Sequence, residues 1–106
     1  MIVAKLDALE GFYTTPYTKQ TKIKHRTGLH ARPASDFVKA AKGFSSEINI
    51  WRVGAEEEAV NAKSIILLLS LGLGQDETVG IKALGNDEVV AVDTLIELID
   101  SGFGEL

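Results

Sequence analysis

Pro33 sits near the front of a run in which apolar residues recur at Ala31, Ala34, Phe37, Val38, Ala41 and Phe44. Steps of three and four place these side chains on one face of a helix. Arg32, Ser35, Asp36, Lys39 and Lys42 fall on the opposite stripe. A proline in a helix interior removes a hydrogen bond and clashes with the preceding turn. In the first turn its missing N–H has no partner to lose. Spacing and proline together predict an amphipathic helix over 31–44 that starts within a residue or two of His30. Gly43 marks its end.

The remaining patterns fit around this helix. Residues 19–25 alternate weakly and predict a strand, with Ile23 its one strong apolar member and His25 at its exposed end. Residues 48–53 predict a second strand, 54–58 a turn and 59–63 a shorter third strand, which makes a hairpin. Trp51 is expected in the core or on a sheet face. Ser64 precedes the apolar run Ile65-Ile66-Leu67-Leu68-Leu69, with Gly72 and Gly74 after it, the pattern of a short helix with a serine cap. Val79, Ile81 and Ala83 alternate within a strand over 78–84. Asn86 is the expected cap of a last helix, with Asp87 and Glu88 in its first turn. Val89, Val92, Leu95, Ile96 and Ile99 form that helix's buried stripe, and Gly102 ends it. The order strand, helix, strand, strand, helix, strand, helix predicts an α+β fold, one antiparallel sheet with helices on one face. Residues 1–17 form a lead segment that contains Leu6, Leu9, Phe12 and Tyr13, and 18–106 form the domain.

Composition narrows the function classes. A chain of 106 residues suits one hydrophobic core. With no cysteine, disulfides and thiolate metal sites are excluded, and no metal or other cofactor is expected. No apolar run reaches the ~18 residues of a membrane span, so no membrane insertion is expected, and the cytoplasm is the default location. A net charge of −4 argues against nucleic acid as a partner. Yet residues 19–42 hold seven Lys or Arg and a single acid, Asp36. The basic half surrounds His30.

A helix N-terminus carries unpaired N–H groups and partial positive charge, which suits an anion. A histidine placed there is kept neutral and nucleophilic by the positive end, and a phosphoryl group on its ring would meet the same N–H groups. Arg32 offers a planar fork for phosphoryl oxygens. Gly28 lets the loop approach closely, and Thr27 is a candidate to bond the ring or an oxygen. A plain capping histidine on a solvated surface is the competing account.

Gly28-Leu29-His30-Ala31-Arg32-Pro33-Ala34 resembles the phosphorylation motif of the HPr family, the histidine phosphocarriers of the phosphoenolpyruvate-dependent sugar phosphotransferase system. Asn61-Ala62-Lys63-Ser64-Ile65, followed by Ser70-Leu71-Gly72, resembles the family's second motif. The ending Ile99-Asp100-Ser101-Gly102-Phe103-Gly104-Glu105 is similar to family C-termini. The resemblance spans residues 18–106. It implies an open-faced sandwich, a four-stranded antiparallel sheet covered on one face by three helices in the order βαββαβα.

The resemblance further implies a carrier rather than an enzyme. Enzyme I, charged by phosphoenolpyruvate, would pass its phosphoryl group to Nδ1 (the pros nitrogen) of His30. Phospho-His30 would pass it to enzyme IIA domains of sugar transporters. Arg32 would neutralise the oxygens, with Thr27, Gly28 and Ala31 in support. Ser64 matches a serine that in many members is phosphorylated by an ATP-dependent kinase, which brings a serine kinase/phosphorylase and a transcriptional regulator in as partners. Ser64 is equally a simple helix cap, and Leu67 and Leu68 replace smaller or more polar residues often found after that serine. The family docks partners on the outer face of this helix, which here implies Ile65, Ile66 and Leu69, rimmed by Ser35, Lys39 and Lys42. Core packing is the other role open to the apolar residues, and a solvated face the other role of the lysines. The acidic turn over 54–58 is longer than the usual family turn. A monomer is expected.

Two other readings compete with the carrier. One is a regulatory relative acting by phosphorylation-dependent binding, for example in a nitrogen-related branch. Some of these lack the active histidine, which this chain keeps. The other is a small hydrolase or transferase using His30 with Ser64, for which the sequence offers no acid to orient the histidine.

Overall fold

The computed structural model of the chain describes residues 5–7 and 12–105. Strands β1 (Lys5–Asp7) and β2 (Phe12–Thr14) pair antiparallel with each other, Leu6 opposite Tyr13, as a separate two-stranded sheet. The lead segment thus contains a hairpin that its sequence did not announce. Leu9 and the side chains of Leu6, Phe12 and Tyr13 lie outside the described residues.

From Tyr17 onward the elements run β3 (Tyr17–Lys22), α1 (Ala31–Lys42), β4 (Glu47–Arg52), β5 (Val60–Asn61), α2 (Ile65–Ser70), β6 (Thr78–Leu84) and α3 (Glu88–Asp100). The strands form one antiparallel sheet in the order β3-β6-β4-β5. The helices supply the other layer, so the molecule is the open-faced sandwich expected. Short turns of 3₁₀ helix follow Gly54, at Glu56–Glu58, and close the chain at Gly102–Gly104.

Alternation places the core. Val79, Ile81 and Ala83 of β6 point to the helices and are fully buried, as are Ile48 and Ile50 of β4. They meet Ala34, Phe37, Val38 and Ala41 of α1, Leu68 of α2, and Ala91, Val92, Leu95 and Ile99 of α3. The other sheet face carries Trp51, which lies on Gly80, its partner across the β4–β6 ladder, with the Lys82 ammonium 5.8 Å from the ring centre. A side chain at position 80 would overlap the indole, whose nearest atom is 2.3 Å from where a Cβ would stand.

Several boundaries and placements differ from the sequence expectation. The first strand covers Tyr17–Lys22 rather than 19–25. Beyond Lys22 the chain leaves the ladder, Ile23 enters the core, and His25 is buried rather than on the surface. The third strand is only Val60–Asn61, and α1 stops at Lys42, where Gly43 closes it on the Ala40 carbonyl. Val89 is half-exposed because the buried stripe of α3 runs through Ala91, Val92, Leu95 and Ile99, and Val89 lies to one side of it. The residue at the N-cap of α3 is Asp87 rather than Asn86.

Asp87 does not cap its own helix. Its carboxylate accepts the Ser45 N–H at 2.8 Å, the Ser46 N–H at 3.0 Å and the Ser46 hydroxyl. It thereby ties the start of α3 to the loop that enters β4. Glu88 turns back to accept the Gly85 N–H at 3.0 Å. Donation from the Ser46 hydroxyl and the Ser45 N–H holds the Asp87 carboxyl at about 2, below its ordinary 3.8. A depressed carboxyl stabilises the fold above its ordinary pKa, and that contribution is lost as pH falls through the lower value. Asp87→Asn is therefore expected to lower the melting temperature at neutral pH. The gap to the parent protein should close between pH 3.8 and about 2 in a series of thermal melts.

Candidate functional site

His30 is the N-cap residue of α1, with extended backbone at φ −132° and ψ 166° and no capping hydrogen bond from its ring. The imidazole is partly exposed and makes no capping contact of its own. Two devices place it there. Pro33 occupies the first turn and is buried. On the other side, Leu29 is fully buried and its N–H donates to the Leu73 carbonyl at 3.0 Å, which pins the chain immediately before His30.

The first intrahelical hydrogen bond runs from Ala34 N–H to the His30 carbonyl and is long, at 3.4 Å. The N–H groups of Ala31 and Arg32 precede it, and Pro33 has none. Two free backbone donors therefore sit directly after the histidine. Ala31 is held at φ +52°, in the left-handed region. A side chain there costs on the order of 1–2 kcal/mol, and such strain gathers at functional sites. Arg32 projects into solvent, 77% exposed, with its guanidinium 3.8 Å from Asp36 and 4.0 Å from Glu105. Neither ion pair is tight enough to withhold it from a third anion.

Gly28 has φ +69°, and its missing Cβ is the opening through which the loop approaches its neighbour. A Cβ there would stand 2.3 Å from the Leu73 carbonyl oxygen and 2.7 Å from Gly74 Cα. Thr27 is bonded to His25. Its hydroxyl lies 2.8 Å from His25 Nδ1, and its N–H donates to the same nitrogen at 3.1 Å. His25 Nε2 in turn meets Glu105 Oε1 at 2.6 Å. These two residues were not legible as site neighbours. They lie 80 positions apart, and His25 reads from its flanking residues as an exposed strand end.

Ser64 is the N-cap of α2, and its hydroxyl accepts the Leu67 N–H at 3.2 Å. Of the apolar run after it, only Leu68 is buried. Ile65 is 38% exposed, Ile66 77% and Leu69 41%, and Leu67 is exposed with them. The structure brings Ser35, Val38, Lys39 and Lys42 of α1 together with Ile65 around one shallow cleft. Exposed apolar residues of α2 thus lie beside the face of α1 that carries Lys39 and Lys42. Among the described residues no cluster of three or more His, Cys, Asp or Glu is gathered as a metal site, and no helix is long and apolar enough to cross a membrane.

Comparison with known proteins places the chain among relatives of one family. Residues 17–101 match the family described as the PTS HPr component phosphorylation site. The chain is 46% identical over 82 residues to the HPr-like protein Crh of Halalkalibacterium halodurans, covering 77% of this chain and 94% of that one. It is 45% identical over 83 residues to the phosphocarrier protein HPr of Haemophilus influenzae, covering 78% and 94%. The crystal structure of HPr-C-His from Thermoanaerobacter tengcongensis superposes with a TM-score of 0.80 at 44% identity, over 85% of this chain and 98% of that one.

The Gly28 contact yields a stability test. Gly28→Ala combines an unfavourable φ with a clash against backbone that cannot rotate away. The expected loss exceeds about 1 kcal/mol, or several degrees in a thermal melt. Gly54→Ala, which shares a positive φ at an open position, should cost less.

Proposed function

The chain belongs to the HPr family of phosphotransferase-system phosphocarriers, and on that premise we propose that His30 accepts a phosphoryl group from phospho-enzyme I and donates it to enzyme IIA domains in sugar uptake. The observation that carries this reading is the uncommitted His30 ring beside the free N–H groups of Ala31 and Arg32. In each step the lone pair of one ring nitrogen attacks phosphorus as the N–P bond of the donor breaks, and the reaction is reversible. Nδ1 of His30 is the nitrogen assigned. The Ala31 and Arg32 N–H groups and the Arg32 guanidinium receive charge that spreads over the phosphoryl oxygens. The Ala31 backbone strain holds those donors in place before the group arrives. Gly28 supports the loop, and Thr27 acts through His25 rather than directly. The protein acts as a monomer in the cytoplasm and completes no turnover alone.

Docking is assigned to Ile65, Ile66 and Leu69 with Ser35, Lys39 and Lys42 at the rim, a surface suited to an apolar patch edged by acids. Ser64 stands at the edge of this patch. A phosphate on it, added by a serine kinase and removed by a phosphorylase, would bring about two negative charges against that basic rim. The likeness to an HPr-like protein named Crh favours keeping a regulatory reading second, in which the phosphorylated protein binds a transcriptional regulator.

Incubation with enzyme I and phosphoenolpyruvate should add one acid-labile phosphoryl group by mass spectrometry, absent in His30→Ala. Unchanged labelling of that variant would overturn the assignment. Arg32→Ala should retain labelling but slow transfer about tenfold to hundredfold, the loss of one charge-assisted contact. Ile66→Glu should raise KM for phosphoryl transfer to an enzyme IIA domain more than it lowers kcat, because it disturbs docking and leaves His30 untouched.

A further inference from the structure

His25 is a second histidine, distinct from the phosphoryl acceptor, and it is only 8% exposed with both ring nitrogens bonded. The Thr27 N–H can only donate, so the His25 Nδ1 it meets at 3.1 Å carries no proton. The ring proton is therefore on Nε2, which donates to Glu105 Oε1 at 2.6 Å. The His25 carbonyl accepts the Gly28 N–H at 2.9 Å, so the residue is tied through ring and backbone to the loop that ends at His30. Its ring also receives Phe103 edge-on, with centroids 6.3 Å apart and planes at 76°. Phe103 is held at φ +59° between Gly102 at +64° and Gly104 at +77°. That succession of left-handed residues folds the chain end back onto the loop.

The other oxygen of the same carboxylate, Glu105 Oε2, lies 4.0 Å from Arg32 Nη1. The hydrogen bond from His25, with the nearby Arg32 charge as a smaller cause, holds the Glu105 carboxyl below the usual carboxylate range. Lys24 and Arg26 are the other charged groups lining the same cleft, and Gln75 completes its wall. Glu105 thus presents an anion to Arg32 where a phosphoryl group on His30 would compete for it.

We propose that His25 is a positioning residue that holds Glu105 against Arg32, so that the carboxylate and the phosphoryl group on His30 compete for one guanidinium. The competition weakens the hold on the phosphoryl group and keeps it transferable in both directions. Without His25, Glu105 is free to leave and Arg32 turns wholly to the phosphoryl oxygens. This rests on His30 as the phosphoryl site, and the two can fail separately.

The test has two arms. In the first, the Glu105 side-chain carboxyl of the full unphosphorylated chain is titrated by carbon-13 NMR. Its midpoint should be low in the parent protein, move up in His25→Ala and stay low in His25→Gln, whose amide can both accept from Thr27 and donate to Glu105. In the second, the equilibrium of phosphoryl exchange with enzyme I is measured. His25→Ala and Glu105→Gln should each shift it toward phospho-His30, about two- to fivefold, the range of an exposed ion pair. His25→Gln should not. An unmoved Glu105 midpoint in His25→Ala, or an unmoved exchange equilibrium in Glu105→Gln, would overturn the proposal. Glu105→Gln changes only a surface side chain, so it decides the exchange arm even where His25→Ala fails to fold. Absence of any label on His30 would overturn the phosphocarrier reading and the Arg32 half of the proposal. The titration would still decide whether His25 holds Glu105.

Discussion

The contact of Gly28 and Leu29 with the backbone at Leu73 and Gly74 holds the rest of the site in place. Leu29 is buried and its N–H is spent on Leu73, so the chain cannot slide or lift just before His30. Pro33 then obliges the helix to begin at once. Between these fixed points stand only His30, Ala31 and Arg32. The strained backbone of Ala31 is the consequence, since a three-residue bridge from anchored loop to helix has few conformations to choose from. The ring of His30, two unpaired N–H groups and a guanidinium are left on the surface side of that bridge.

The same economy explains why the site can be so open. A carrier must meet two partners with one face, so its reactive atom needs to be exposed and its charge partners loosely held. Arg32 has two carboxylate neighbours, each at the limit of an ion pair. Such contacts exchange easily in water. The outer face of α2 follows the same pattern. Leu68 alone anchors α2 in the core, and its neighbours Ile65, Ile66, Leu67 and Leu69 remain outside as apolar surface. A short helix held by one buried leucine and a serine cap can leave that much hydrophobic area exposed.

Much of this was legible in the sequence because it rests on local rules. The period of α1, the proline in its first turn, the Ser64 cap and the alternation of Val79, Ile81 and Ala83 each act within a few residues. What was missed depends on distant pairing. Asp87 reads as a first-turn acid, but it serves serines some 40 residues earlier. His25 reads as an exposed strand end, and only the fold brings Glu105 to it from the far end of the chain. Val89 shares a helical period with Val92 and Ile96, yet the stripe that is buried centres on Ala91, Val92, Leu95 and Ile99 and leaves Val89 half-exposed. Helical phase says which residues share a face. It does not say which of two overlapping apolar stripes, the one through Val89 or the one through Ala91, turns to the neighbouring layer.

The central claim is that a phosphoryl group on His30 Nδ1 is received by the N–H groups of Ala31 and Arg32. Proton–nitrogen NMR of the chain before and after phosphorylation tests it directly. Attachment at Nδ1 should shift that ring nitrogen and move the Ala31 and Arg32 amide protons downfield, while the Leu29 amide, already bonded to Leu73, changes less. Phosphorylation that leaves the Ala31 and Arg32 amides where they were, or that shifts Nε2 in place of Nδ1, would contradict the account.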